Sequence, residues 1–116
     1  MTTLRERWGD EKYDAVVARN AEIKCQMEVW RLTSDADKIA QGNAMIDTLK
    51  SRETEINSQF PSYSDMPRDA WVCCHELARA WSHIGFLIRK REFDRLFHAV
   101  RHGFDDWERS AQFLKK

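Results

Sequence analysis

The chain has 116 residues, enough for one ordinary domain with a core of its own. Lysine plus arginine and aspartate plus glutamate each number 19, so the formal net charge is zero. That balance lacks the basic excess of a typical nucleic-acid or membrane-surface protein and the acidic excess of a DNA mimic. A third of the residues are charged, with only four glycines and two prolines, a composition suited to helices joined by short turns. Three cysteines at irregular spacing (Cys25, Cys73, Cys74) do not form a disulfide framework. No apolar run reaches transmembrane length, and "MTTLRERWGDEKYD" lacks the apolar stretch of a signal peptide, so the expected compartment is the reducing cytoplasm.

In chain order, Asp10 is the expected cap of a first long helix. Tyr13, Val16, Asn20, Ile23, Met27 and Trp30 then recur at alternating spacings of three and four, a stripe as narrow as a coiled-coil seam. "TSDAD" breaks the phase, with Ser34 as the next N-cap and Asp37 three residues on. Ile39, Gly42, Ile46, Leu49, Glu53, Ile56 and Phe60 continue at the same spacing in a second helix. Residues 10–60 are thus expected to form a helical hairpin with arms of roughly 30 to 40 Å, one continuous bent helix being the alternative.

"FPSYSDMP", residues 60–67, must break any helix. Beyond it, residues 64–114 are expected to hold two or three shorter helices. Ser64 or Asp65 caps the third, Pro67 stands in its first turn, and the helix runs to about Lys90. "KRE" is a turn. A fourth helix carries Phe93, Leu96, Phe97 and Val100 and is expected to end at Gly103. A last short helix carries Phe104, Trp107, Ala111 and Leu114, closed by Lys115 and Lys116 where the helix dipole favours cations. The fold class is all-α: a single domain, residues 1–116, in which the hairpin packs on the C-terminal helices.

"WVCCHELARAWSH" gathers thiols, imidazoles, a carboxylate and two indoles. At about 100° per residue, Cys73, Cys74, Leu77, Ala78, Ala80, Trp81, Ile84, Gly85, Leu87 and Ile88 fill an arc of roughly 200°. Such a helix is packed on two sides, and the two cysteines point about 100° apart, too far to share one metal. They are expected to behave as small core hydrophobes. The remaining arc aligns His75, Arg79 and His83 at spacings of four, with Phe86 beside them, as a partner-binding strip would.

The fourth helix has a basic ridge: Arg91, Arg95, His98 and His102 oppose its apolar face. Such a ridge fits an acidic protein surface or, second, a phosphate backbone. His98 and His102 stand four apart, which a metal or a pH-sensitive pair could use, but no "HExxH" or paired cysteine spacing accompanies them, and no metal or cofactor is expected. No phosphate-cradling loop, nucleophile elbow or dinucleotide fingerprint occurs, so no enzymatic activity is expected. Trp8, between Arg5 and Arg7, is either a staple folded back on the first helix or an exposed anchor.

The expected function is a non-enzymatic protein-binding module, an adaptor or a small inhibitor of the kind phages and mobile elements carry. The partner is expected to bear an acidic patch. The expected surface is Arg91, Arg95, His98 and His102 with Arg79, His75, His83 and Phe86. The alternatives are nucleic-acid binding by the same ridge, and a homodimer paired through the hairpin seams.

Overall fold

The computed structural model describes residues 2–114, so the closing Lys115 and Lys116 lie outside the described residues. Among these residues the chain is all-α, with no strand. Its five helices are α1 (Leu4–Trp8), α2 (Asp10–Leu32), α3 (Asp35–Ser58), α4 (Arg68–Lys90) and α5 (Phe93–Ser110). The chain divides into two units, Met1–Thr33 and Ser34–Lys116.

In the first unit, Thr3 caps α1 through a capping box with Glu6. Gly9, at φ 84°, turns the chain directly into α2. Asp10 is therefore not the cap but the first residue of α2, whose N-cap position is Gly9 with no side-chain bond. The short α1 packs on α2, with the Arg5 guanidinium 4.6 Å from the centre of the Tyr13 ring and within 3.6 Å of Asp10 and 3.5 Å of Asp14. Trp8 has Lys12 over its ring at 6.0 Å and stays partly exposed. Along the stripe of α2, Tyr13, Val16, Ile23 and Met27 are half-buried, Trp30 is buried and Asn20 is exposed. Thr33 and Ser34 are extended, at ψ 146° and 154°, so residues 10–60 form two helices rather than one continuous bent helix.

The second unit is a bundle of α3, α4 and α5. The Ser34 hydroxyl accepts from the Asp37 N–H at 3.1 Å, the cap expected for α3. "FPSYSDMP" breaks the chain as expected, with a 3-10 turn at Tyr63–Asp65, and Pro67 stands at the N-cap of α4, one place before the first turn. The core comprises Leu49 and Ile56 of α3, Ala70, Cys74, Leu77, Ile84 and Leu87 of α4, and Leu96 and Phe97 of α5. Leu49, Ile56, Leu77, Ile84 and Leu96 are fully sealed from solvent. Burying each such side chain contributes on the order of 2 kcal/mol.

Gly103 does not end a helix. α5 runs through it to Ser110, so the expected fourth and fifth helices are one. The glycine is there for close approach: a Cβ at that position would stand 3.2 Å from Leu49 Cδ1, 3.3 Å from Met45 Cγ and 3.4 Å from Ile84 Cδ1. The far end of α5 is held by a buried cation. Arg52 Nη1 donates to the Trp107 carbonyl and to Ser110 Oγ, both at 2.8 Å, and its guanidinium stacks 4.6 Å from the centre of the Trp107 ring. A positive charge is favoured among the last carbonyls of a helix.

Of the two cysteines expected in the core, Cys74 is buried there and Cys73 only half-buried, while Cys25 is exposed on α2. Burial, joined by the neighbouring Cys73 and Glu53, pushes the Cys74 thiol up to about 11. Burial first, and then Glu76 and Asp106, also raise Cys73.

Two predictions follow from this packing. A Cβ at Gly42 would meet Ile88 Cδ1 at 2.8 Å, whereas at Gly85 its nearest neighbour is 3.6 Å away. Gly85→Ala should raise stability by about 0.5–1 kcal/mol through helix propensity, and Gly42→Ala should lower it despite the same gain; urea melts of the two variants give the signs. For Cys74 the folded thiol holds its proton above the ordinary pKa of 9.0, where the unfolded chain releases it. The folded state then binds more protons, so this contribution is complete below pH 9.0 and is lost as pH rises toward about 11. Chemical melts across that range should show a shallower alkaline loss in Cys74→Ala than in the unsubstituted protein.

Candidate functional site: a basic groove between α4 and α5

The α4–α5 connection is two residues long and depends on Arg91. This residue adopts the left-handed conformation, φ 56° and ψ 35°, uncommon outside glycine and asparagine. Its N–H bonds the Ile88 and Leu87 carbonyls, and the Glu92 N–H donates to Leu87 at 3.1 Å. These bonds satisfy the open carbonyls of α4 and turn the chain back so that α5 packs along α4.

With the apolar arcs of both helices turned inward, their polar edges face each other across a groove of about 950 Å³. From α4 it takes Arg79 and His83, one turn apart. From α5 it takes Arg95, His98 and His102. All five are exposed, and the half-buried Ala80 and Ala99 lie low between the two rows. Toward the C-terminal end of α5 the groove continues past Glu76, Asp106 and Arg109.

The charges are unevenly engaged. Arg95 meets Glu92, at the N-cap position of α5, at 3.2 Å. Arg109 is paired with Asp106, and that hydrogen bond raises its pKa above the ordinary value. Arg79 makes no ion pair among the described residues. The groove therefore holds paired charges at Glu92–Arg95 and Asp106–Arg109 and an unpaired guanidinium at Arg79 on its α4 wall, with His83, His98 and His102 along the same lining. Exposed ion pairs such as Arg95–Glu92 are worth well under about 1 kcal/mol, so an incoming carboxylate can replace the internal one at little cost.

Five of the eight residues expected to bind a partner are brought together in this way, and three are not. Arg91 belongs to the turn and not to α5. It donates to Asp35 Oδ2 at 3.0 Å, tying the turn to the start of α3, and lies 5.3 Å from the Phe93 ring centre. His75 packs on Trp71, ring centres 4.1 Å apart, and Trp71 in turn meets Tyr63 edge-on at 6.5 Å. Phe86 is exposed and carries Lys90 over its ring at 5.9 Å, outside the groove lining. Glu76, Asp106 and Arg109 were not expected in the site. They extend the two rows at the same three-four spacing; for Asp106 and Arg109 that pattern is hidden once Gly103 is taken as the end of a helix.

Among the described residues no group of three or more His, Cys, Asp or Glu is placed to hold a metal ion. No helix among them is long and apolar enough to cross a membrane. Compared with models of known protein families, with curated proteins and with solved structures, the chain matches none.

Proposed function

We propose that the protein is a non-enzymatic binding module that takes an acidic segment of a protein partner into the α4–α5 groove. The observation that carries this reading is the convergence of Arg79 and His83 with Arg95, His98 and His102 along the two walls of one groove. Two rows of donors at helical spacing suit carboxylates on a partner surface, and charge complementarity of this kind sets partner choice and association rate. The partial occupation of the far end by Asp106 and Glu76 disfavours a continuous phosphate backbone, which needs an unbroken basic track. An adaptor or a small inhibitor acts through one such surface. Three free cysteines fit residence in a reducing compartment.

The test is affinity capture from the native host's lysate, with and without nuclease, using the unsubstituted protein, Arg79→Glu/Arg95→Glu and Arg91→Glu. A defined protein should survive nuclease, and its affinity should fall at least tenfold in the Arg79→Glu/Arg95→Glu variant. The melting temperature of that variant should stay nearly unchanged, because both positions are exposed. Arg91→Glu should keep the partner but lower the melting temperature by losing its bond to Asp35. Capture that disappears with nuclease would overturn the protein-binding reading in favour of nucleic acid.

A further inference from the structure

The face of α2 opposite its narrow seam carries a second apolar stripe that the groove does not use. Ala18, Ala21, Cys25, Val29 and Leu32 recur at spacings of three and four, and all five are exposed. Val29 is 67 % and Leu32 89 % exposed, unusual for large aliphatic side chains on a helix otherwise well supplied with charge.

We infer that this stripe is a self-complementary surface on which α2 pairs antiparallel with α2 of a second copy, about a twofold axis at Cys25. The positions themselves favour that occupant. Ala18 and Leu32 are each seven residues from Cys25, and Ala21 and Val29 are each four. A twofold at Cys25 therefore sets every large side chain against a small one, Leu32 on Ala18 and Val29 on Ala21, on both sides of the axis. A parallel pair would instead set leucine on leucine at one end and alanine on alanine at the other.

The polar borders agree. An antiparallel twofold brings like borders together, as an isologous contact must. On one border stand Lys24 and Glu28, exposed and of opposite charge. Lys24 of each copy comes within about 3 Å, measured along the axis, of the level of Glu28 on the other. On the opposite border stand Glu22 and Gln26, where the Gln26 amide already donates to Glu22 at 3.3 Å. The same twofold offers each amide the other copy's carboxylate. Apolar fit and both polar borders thus select one register. The surface differs from the seam, whose Trp30 is buried and whose other apolar members are half-buried.

The experiment uses the full chain. Sedimentation across a concentration series up to about 0.5 mM, a range that captures even weak dimers, should show a mass rising from 13.8 kDa to twice that value. A short bis-maleimide linker should join two chains through Cys25, identified by peptide mapping, and Cys25→Ser should remove the product. Val29→Glu/Leu32→Glu should leave the chain monomeric at the same concentrations, with helical content unchanged and a melting temperature that no longer rises with concentration. A monomer mass throughout, a dimer that gives no Cys25–Cys25 product, or a dimer that persists in Val29→Glu/Leu32→Glu would each overturn the inference. None of these readouts depends on the groove between α4 and α5.

Discussion

Leu77, Ile84 and Leu87 of α4 are sealed from solvent, and with Cys74 they spread over more of the helix than one neighbour can cover. α4 must therefore be packed from two directions, and α3 and α5 supply them. Everything else in the second unit follows from that demand. α5 can approach only because Gly103 has no side chain to strike Leu49, Met45 and Ile84, and α3 only because Gly42 leaves room for Ile88 and Leu96. Once both helices are seated, the one arc of α4 without apolar cover faces outward, and its edge beside α5 becomes a wall of the groove.

The two ends of α5 are fixed by two arginines, one through its own backbone and a carboxylate, the other through a carbonyl and a hydroxyl of the helix end. At its start, Arg91 accepts a left-handed conformation that most residues avoid, and its side chain reaches Asp35 from there. At its end, the buried Arg52 serves the Trp107 carbonyl and Ser110, while its own Nε finds no partner among the described residues. A buried guanidinium is costly unless several of its donors are used. Here the helix terminus supplies oxygen acceptors and the indole of Trp107 a face. The register of α5 against α3 is thereby set, and with it the position of the wall that Arg95, His98 and His102 give to the groove.

The helical class, the phase break at Ser34, the break at 60–67 and the core face of α4 were legible because each rests on local chemistry: caps, prolines and a 3.6-residue period. What escaped were residues whose role depends on a neighbour distant in sequence. Gly103 has the look of a stop signal and is a contact point. Arg91 has the look of part of a basic ridge and is the turn itself, because α5 begins only at Phe93. Thr3 and Glu6 form a capping box too near the start of the chain to be weighed against the stronger stripe that follows. The groove was half visible. Both of its rows could be found on their own helices, but nothing in either row said that they face one another.

A neutral chain can leave a guanidinium open in its groove because several of its carboxylates are already engaged by other cations and donors. Asp35 takes Arg91 and lies 3.9 Å from Lys38, Asp10 and Asp14 take Arg5, Glu53 accepts from the Trp81 indole at 2.9 Å, and Asp106 takes Arg109. Each of these contacts fixes an element or a helix end within one unit. The one cation of the groove without such a partner among the described residues is Arg79, on the helix that the core holds most firmly. An arginine on a rigid helix loses only side-chain freedom when a ligand arrives, whereas on a mobile loop the backbone must be ordered as well. The balance of 19 against 19 therefore describes the whole chain and not its surface: distribution, set by which carboxylates the fold requires, decides where a partner can be held.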